Sequence, residues 1–376
     1  MKKIGVLGGG QLGMMLQESV GNLPVELHFL DPDPNCSCSS ISERFTRGDF
    51  KDFQSVVDFG STMDIVTVEI EHVNVAALRA LKEAGVSVYP QAQILEMIQD
   101  KGLQKEFYAN SGFPTAPFEL LKSHEDIDPL KWRVPFVLKS RKGGYDGKGV
   151  QIVRREGDPI VIEGPVVLEQ MADLEVELSV IVARNSLGEV SVFPVVEMEF
   201  DPVANLVSAL VSPADIRAEI AEKAQEMAKL IIDELGLVGL LAVEFFLNKD
   251  GSIWVNEIAP RPHNSGHQTI EGNRTSQYEQ HLRAISGMKL GDTSPEGVAV
   301  MVNLLGEKGH EGPRKILSKD LVDQVPNAYI HDYRKEITRP GRKMGHITVV
   351  DEDRAEALSI ALKLQSQVRY VSESMD

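Results

Sequence analysis

Two apolar runs, Gly239-Leu240-Leu241-Ala242-Val243-Glu244-Phe245-Phe246-Leu247 and Ser252-Ile253-Trp254-Val255-Asn256-Glu257-Ile258, flank Asn248-Lys249-Asp250-Gly251. Asp-Gly is among the strongest signals for a two-residue hairpin turn. With Asp250-Gly251 as that turn, Glu244 falls directly opposite Glu257. Like charges facing each other on apolar strands repel, so a sheet folded this way needs a cation between them, a proton shared by the two carboxyls, or another register. Magnesium, or manganese in its place, held by carboxylate oxygens and carrying a nucleotide's phosphates, is the preferred resolution.

The hairpin runs straight into Ala259-Pro260-Arg261-Pro262-His263-Asn264-Ser265-Gly266-His267, a stretch too rich in Arg, His and Asn to be needed for packing. Two histidines four residues apart beside an arginine and the proposed metal point to binding of an anionic reacting group. Zinc on a helix is disfavoured, because Pro260 and Pro262 oppose a helix starting before His263.

The first ninety residues alternate short apolar runs with amphipathic ones, the pattern of a parallel sheet with helices on its faces. Strands are expected at Lys3–Leu7, Glu26–Leu30, Asp64–Val68 and Val86–Tyr89, and helices at Gln11–Val20 and Val75–Ala84. Between the first strand and helix lies Gly8-Gly9-Gly10-Gln11-Leu12-Gly13, with Asp31 ending the next strand where a ribose-binding acid would sit. Taken alone this predicts a dinucleotide site. The same loop can equally be a tight turn, or hold any phosphate or carboxylate on its N–H groups.

After one helix expected over Ala92–Asn110 the strands become antiparallel in pattern. Phe136-Val137-Leu138-Lys139 reads as a buried strand delivering one ammonium to its end. Arg141-Lys142-Gly143-Gly144-Tyr145-Asp146-Gly147-Lys148-Gly149 follows, and Val150–Val153 returns. This hairpin lacks the Walker A pattern, yet its glycines and lysines can fold N–H groups and charge over a polyphosphate. A solvated hairpin tip is the bland alternative. Val166–Met171 ends in Glu169 and Gln170, a carboxylate and an amide able to bond an adenine edge or ribose hydroxyls. Glu177 alternates with apolar residues on the next strand, Leu174–Val182, which fits a ligand or a half-exposed strand equally.

At 376 residues the chain is too long for one ordinary core and implies two or three domains. Its apolar content of 42% with 25% charged residues is that of a globular enzyme, and no apolar run is long enough to span a bilayer. Met1-Lys2-Lys3 imitates a signal peptide, but glycines interrupt the apolar stretch at once, so a cytoplasmic protein is expected. Cys36 and Cys38, the only cysteines, have neither zinc nor disulfide spacing and are read as reduced thiols. A net charge of −17 opposes nucleic-acid binding. Cations for a phosphorylated ligand must therefore be local, and Arg334, Lys335, Arg339, Arg342 and Lys343 form the densest such stretch.

Five segments together carry a family resemblance: Gly8 to Gly13, Thr67-Val68-Glu69-Ile70-Glu71, Lys139 with Gly143 to Gly149, Asn256 to His267, and Arg339-Pro340-Gly341-Arg342-Lys343-Met344-Gly345-His346. On these the chain resembles the ATP-grasp ligases. It is similar over nearly its whole length to the N5-carboxyaminoimidazole ribonucleotide synthetases of purine synthesis. The resemblance implies an α/β and α+β fold. A Rossmann-like pre-ATP-grasp domain would span 1–95, an ATP-grasp domain 96–295 with a glycine-rich lid at about 112–172, and a small β-rich C-terminal domain 296–376, closing the site.

By motif position it implies ATP-phosphate contacts at Lys101, Lys139, Gly144, Tyr145, Asp146, Gly147, Lys148 and Gly149, with Asn256 and Glu257 beside them. The adenosine would lie on Glu169, Gln170, Met171, Ala172 and Glu177, and magnesium on Glu244 and Glu257. The ribonucleotide would meet Gly10, Gln11, Leu12, Glu71, Tyr145, Asp146, Arg261, His263, Asn264, Ser265, Lys335, Arg342 and Lys343. Arg261, His263, Lys139 and Asp146 would serve catalysis. The implied reaction has bicarbonate attack the γ-phosphate of ATP to give carboxyphosphate, whose carboxyl group the ribonucleotide's amine captures. Small molecules would be the only ligands, with no nucleic acid and no membrane, and the family implies a homodimer. His72 stands where the family more often shows Asn, and Glu197 where some members place His. The nearest rival is a sister enzyme such as the formate-dependent glycinamide ribonucleotide transformylase. A nicotinamide-dependent oxidoreductase on the glycine motif, or a nucleotide sensor without activity, are rivals of other classes. From Arg369 to Asp376 the tail is expected to be poorly ordered.

Overall fold

The computed structural model describes residues 1–40, 42–144, 149–201 and 206–373. Strands β1 (Lys2–Leu7), β2 (Val25–Asp31), β3 (Phe45–Arg47), β4 (Ile65–Val68) and β5 (Ser87–Val88) form a parallel sheet in the order β3-β2-β1-β4-β5. Helices α1 (Gln11–Glu18), α2 (Phe53–Gly60) and α3 (Val75–Glu83) connect them. The strands are continuous apolar runs because both faces are covered. On one side Leu7, Leu30, Val66 and Val68 pack with Val56 and Phe59 of α2 and Leu78 and Leu81 of α3. On the other, Ile4, Val6, Leu27 and Phe29 meet Met14–Leu16 of α1 together with Tyr278, Leu282 and Ile285 from much later in the chain. Asp52 and Asn74 start α2 and α3 by accepting bonds from Ser55 and Ala77 N–H.

The single helix expected over Ala92–Asn110 is two, α4 (Ala92–Ile98) and α5 (Lys101–Asn110). Asp100 sits between them with extended backbone and caps α5, accepting from Gly102 N–H at 2.9 Å. Its carboxylate also takes two bonds from Arg141, at 2.8 and 2.9 Å. A capping side chain that is also ion-paired outweighs the continuous helical pattern, and the restart gives Lys101 a new direction.

Strands β6 (Phe118–Leu121), β7 (Phe136–Ser140), β8 (Val150–Val153) and β9 (Val166–Gln170) make a four-stranded antiparallel sheet, ordered β6-β9-β7-β8. It carries its own small core of Phe136, Leu138, Val153, Ile162, Val166 and Leu168.

The largest sheet begins with β10 (Leu174–Arg184), β11 (Val190–Val192), β12 (Val196–Asp201) and β13 (Leu206–Ser212). After helix α6 (Ala218–Glu234) it continues with β14 (Gly239–Asn248) and β15 (Ile253–Ala259). Helices α7 (Thr269–Gly272) and α8 (Gln277–Ile285) follow, and then β16 (Val298–Leu305), β17 (Gly312–Leu317), α9 (Asp320–Asp323), β18 (Ala328–Asp332), β19 (Ile337–Thr338), β20 (Lys343–Asp351), α10 (Arg354–Gln367) and β21 (Arg369–Ser372). The order β15-β14-β10-β12-β13-β16-β20-β18, with β11 on β10, shows one sheet running from the hairpin into the last third of the chain. Helix α6 covers β10 and β14 through Ala224, Ala228, Ile231 and Ile232, and α10 covers β16 and β20 through Ala357, Ala361 and Leu364. Helix α8 ties this sheet to the first: Thr67 Oγ1 lies 2.9 Å from His281 Nε2, both fully buried. Cys36 and Cys38 are unbridged.

The tail departs from expectation. Arg369–Ser372 pairs antiparallel with β17, Tyr370 is fully buried, and its hydroxyl donates to Asp332 Oδ1 at 3.1 Å. Residues 374–376 lie outside the described residues. A short polar-flanked tail gave no sign of the sheet edge waiting for it. Tyr370→Ala is expected to cost roughly 3–5 kcal/mol, as for other large-to-small changes in a core. Urea unfolding followed by circular dichroism checks this, and a loss under about 1 kcal/mol would mean the tail is not part of the fold.

Candidate active site

The hairpin β14–β15 positions the acidic pair, though not through the turn expected. Asn248 N–H donates to Ser252 O at 2.9 Å and Gly251 N–H to Asn248 O at 2.8 Å, so the loop is the three residues Lys249-Asp250-Gly251, with Gly251 at φ +83°. Near the turn the register is accordingly one residue off, with Phe245 opposite Val255. A bulge at Asn256 then restores it, and Glu244 does face Glu257.

The pair is half-buried and unequal, with the Glu244 side chain 17% exposed and that of Glu257 42%. Lys101 Nζ, delivered by the restarted α5, donates to Glu257 Oε2 and holds the Glu257 carboxyl well below the usual range. Burial, reinforced by the charge on Glu257, pushes Glu244 up. Burial raises Glu177 to about 7 as well. Carboxyls that must be protonated to coexist form a site with affinity for a cation. The donors are hard oxygens, which suits magnesium, an ion that usually takes one or two protein carboxylates and completes its shell with phosphates and water. Among the described residues no cluster of three or more His, Cys, Asp or Glu side chains is arranged to enclose a metal.

Cations converge from a second direction. Lys139, at the end of β7, donates to Asn256 Oδ1 at 2.8 Å and pairs with Glu169 Oε2 at 2.9 Å. Sequence reasoning missed Lys105, which lies 3.2 Å from Glu169 Oε1 and donates to Thr115 Oγ1 at 2.6 Å. Its signal was available, since Lys101 and Lys105 are four apart on one helix face. Burial lowers Lys105 to about 8, whereas Lys139 and Lys105 outweigh burial at Glu169 and lower it. Removing one member of so buried a triad strands the others, at roughly 3–5 kcal/mol. Strand alternation separates Glu169 from its neighbour: Glu169 faces the lysines, whereas Gln170 is exposed. Met171 and Ala172 are half-buried beyond it, and Glu177 lies on the adjoining β10. Gly144 and Gly149 flank residues 145–148 in sequence, with Gly149 at φ +76°. Tyr145, Asp146, Gly147 and Lys148 lie outside the described residues.

At the other end of the cleft Arg261 pairs with Glu71 at 2.7 Å and holds it low against the effect of burial. His263 Nε2 lies 3.5 Å from Glu244 Oε1, and burial, with Arg261 and Lys343, lowers its imidazole to about 4. Asn264 Oδ1 is buried without a partner among the described residues, while Ser265 is fully engaged. His267 turns away into the interior, accepting or donating at Tyr278 OH, 2.8 Å distant.

The glycine loop corrects the dinucleotide reading. Glu69 Oε1 and Oε2 accept from Gly10 N–H at 2.8 Å and Gly13 N–H at 3.0 Å, so the protein's own carboxylate occupies the anion position of that loop. A Cβ on Gly8, at φ +104°, would come within 2.4 Å of Glu69 Cγ. Asp31 accepts from Gly9 and Asp33 N–H, so it secures the turn where a ribose would have needed it. Glu69 was visible in sequence, but nothing local showed that it reaches the loop. Lys335 Nζ donates to Gln11 Oε1 at 2.5 Å and Lys343 O at 2.7 Å, bringing the C-terminal cations to Gly10-Gln11-Leu12. Lys335, Arg342 and Lys343 are half-buried, whereas Arg334 and Arg339 are exposed. Tyr333 anchors this stretch, its carbonyl accepting from Ser37 Oγ and its hydroxyl lying 2.9 Å from His346 Nδ1. Glu197 is taken by Arg354 at 2.8 Å.

Residues 1–99 match the ribonucleotide synthetase preATP-grasp domain, 106–278 the ATP-grasp domain, and 299–359 the phosphoribosylaminoimidazole carboxylase C-terminal domain. The chain is 35% identical to the N5-carboxyaminoimidazole ribonucleotide synthase of Bacillus subtilis, covering 94% of this chain and 92% of that one. It is 37% identical to the chloroplastic phosphoribosylaminoimidazole carboxylase of Vigna aconitifolia, but spans only 64% of that protein and 92% of itself. Among solved structures, N5-carboxyaminoimidazole ribonucleotide synthetase from Thermotoga maritima superposes with a TM-score of 0.91 at 40% identity, covering 99% of this chain and 100% of that one. The Aspergillus clavatus synthase, solved with ADP and 5-aminoimidazole ribonucleotide, gives 0.87 at 33% identity, covering 97% and 98%. No helix among the described residues is long and apolar enough to cross a membrane.

Desolvation and the facing Glu257 charge push the Glu244 carboxyl up from 4.5 to about 8 in the folded chain. Between these values the folded chain keeps a proton that the unfolded chain releases, so this group's contribution to stability declines as pH rises through that window. In EDTA, the Tm advantage of Glu244→Gln over the parent is expected to grow from about pH 5 to about pH 8. A difference that stays flat across the range would show that the pair is not strained.

Proposed function

The chain belongs to the family of N5-carboxyaminoimidazole ribonucleotide synthetases, ATP-dependent carbon–nitrogen ligases of the ATP-grasp type, and we propose that it uses bicarbonate as the carboxyl donor and magnesium at Glu244 and Glu257. The observation that carries this reading is the half-buried, opposed glutamate pair with Lys101, Lys105 and Lys139 on one side and Arg261 and His263 on the other. Such a site binds a polyanion on one side and a small reacting anion on the other.

In the proposed first step a bicarbonate oxygen attacks the γ-phosphorus of ATP, the bond to the β-phosphate oxygen breaks, and ADP and carboxyphosphate result. Phosphoryl transfer of this kind depends mainly on positioning and on cations around the phosphate. Lys139, fixed by Glu169 and Asn256, supplies one such cation at a set point. Lys101 bridges the phosphate end to Glu257. Magnesium, when bound, supplies charge neutralisation at the β- and γ-phosphates, and Glu244, Glu257 and Asn256 are the residues that would hold it. Lys148 and Asp146, outside the described residues, are proposed to complete the phosphate cover by resemblance alone.

In the second step the exocyclic amine of 5-aminoimidazole ribonucleotide takes the carboxyl group and phosphate leaves. Arg261, oriented by Glu71, and His263 beside Glu244 would stabilise the labile acyl phosphate. Lys335, Arg342 and Lys343 would take the ribonucleotide's 5′-phosphate beside Gly10-Gln11-Leu12. A homodimer in the cytoplasm is proposed on the resemblance alone. The nicotinamide alternative has no place to put a pyrophosphate, because Glu69 fills it.

The reading is tested by ADP release from magnesium-ATP with 5-aminoimidazole ribonucleotide and bicarbonate, beside glycinamide ribonucleotide with formate. Release dependent on the first pair, with labelled bicarbonate carbon in the product, is expected. Release only with the second pair would move the chain to the sister reaction.

A further inference from the structure

Ser179 and Ser265 lie outside the metal and phosphate contacts, yet they form a buried polar pair directly behind the cleft. Ser179 is on β10, opposite Glu244, and is fully buried. Ser265 is 1% exposed and follows His263 in the loop after β15. Their hydroxyl oxygens are 2.7 Å apart, and Ser265 Oγ is 2.8 Å from His263 Nδ1. Buried hydroxyls seldom meet unless each has an assigned donor and acceptor role.

The roles can be read from one fixed donor. Ser265 backbone N–H points at His263 Nδ1 from 3.3 Å, and a backbone amide only donates. Nδ1 is therefore an acceptor and carries no proton. The imidazole is the neutral form, with its single proton on Nε2. Ser265 O–H must then donate to Nδ1, which leaves its oxygen to accept from Ser179 O–H. The order of donation is Ser179 to Ser265 to His263. Nε2–H consequently faces Glu244 Oε1, 3.5 Å away, on the cleft side of the ring.

We propose that Ser179 and Ser265 are positioning residues which lock His263 as its Nε2–H tautomer, so that the ring presents a hydrogen-bond donor to the reacting anion and cannot act as a general base at Nε2. This rests on the reading that His263 faces the acyl phosphate, and it narrows what His263 does there. The opposite tautomer would point a proton at the amide of Ser265 and turn a lone pair towards Glu244 and the reacting anion. A donor at this point stabilises negative charge on the transferring group, whereas a lone pair repels it. The network uses no proton transfer; it sets one in place beforehand.

Protein labelled with ¹⁵N in histidine tests the tautomer directly, with two-bond ¹H–¹⁵N spectra of the ring and His263 assigned by its absence in His263→Gln. The parent should show an unprotonated Nδ1 and a protonated Nε2. Ser265→Ala and, to a lesser degree, Ser179→Ala should shift the ring towards a mixture, and Ser265→Thr should restore it. In turnover, Ser265→Ala is expected to lower kcat about five- to tenfold, the worth of about one hydrogen bond, with KM for ATP little changed. A protonated Nδ1 in the parent overturns the proposal, and so does a Ser265→Ala protein with unaltered ring signals. Should Ser265→Ala not fold, the parent spectrum and Ser179→Ala decide by the same criteria. Because the spectra need no turnover, a wrong assignment of the reaction would leave the tautomer result standing.

Discussion

Glu244 and Glu257 face each other across the β14–β15 hairpin at half-buried positions, and much of the surrounding architecture bears on that arrangement. Two facing carboxylates each raise the cost of ionising the other, and a nearby cation relieves it. The fold answers from outside the hairpin. Asp100 interrupts a helix so that Lys101 reaches Glu257, while strand β7 carries Lys139 to Asn256, the bulged residue between the strands. Neither lysine belongs to the sheet it serves. The lysines thus pair Glu257 and leave Glu244 raised, the feature on which the proposed cation site rests.

The wider fold brings distant cations to the same cleft. Strands β16, β20 and β18 extend the sheet that holds the acidic pair, so the last third of the chain is joined to the β14–β15 hairpin by continuous backbone pairing. That pairing returns Lys335 to the first helix turn, where it meets Gln11. In a chain of net charge −17 this gathers cations locally, as the proposed phosphate contacts require. Long-range electrostatics would repel a nucleotide, and short-range geometry must reverse it.

Much of this was legible in sequence because period and charge are local signals. The parallel strands of the first sheet, the lysine ending β7 and the facing glutamates all followed from apolar runs and their punctuation. What escaped depended on contacts across the fold. The Asp250-Gly251 tip was read as a two-residue turn, and the true three-residue loop and the bulge at Asn256 shift the register in opposite senses, so the facing of Glu244 and Glu257 survived a wrong turn. The break at Asp100 was hidden by an uninterrupted helical pattern, since the arginine that secures it comes 41 residues later. Glu69 filling the glycine loop was equally invisible, because G-x-G-x-x-G states what a backbone can bind and leaves open whether the protein binds it itself. Tyr370 looked like frayed tail until β17 supplied its partner.

The claim that the opposed pair is a cation site can be put to a direct binding measurement. Electron paramagnetic resonance of Mn²⁺ with ADP and the protein counts the ion bound, independently of turnover. The parent should bind Mn²⁺·ADP, with Glu244→Gln and Glu257→Gln each weakening it by about tenfold or more, the loss of at least about 1.4 kcal/mol. Binding of Mn²⁺·ADP by both variants as tightly as by the parent would contradict the account, and would mean that the two glutamates are held together by a shared proton alone.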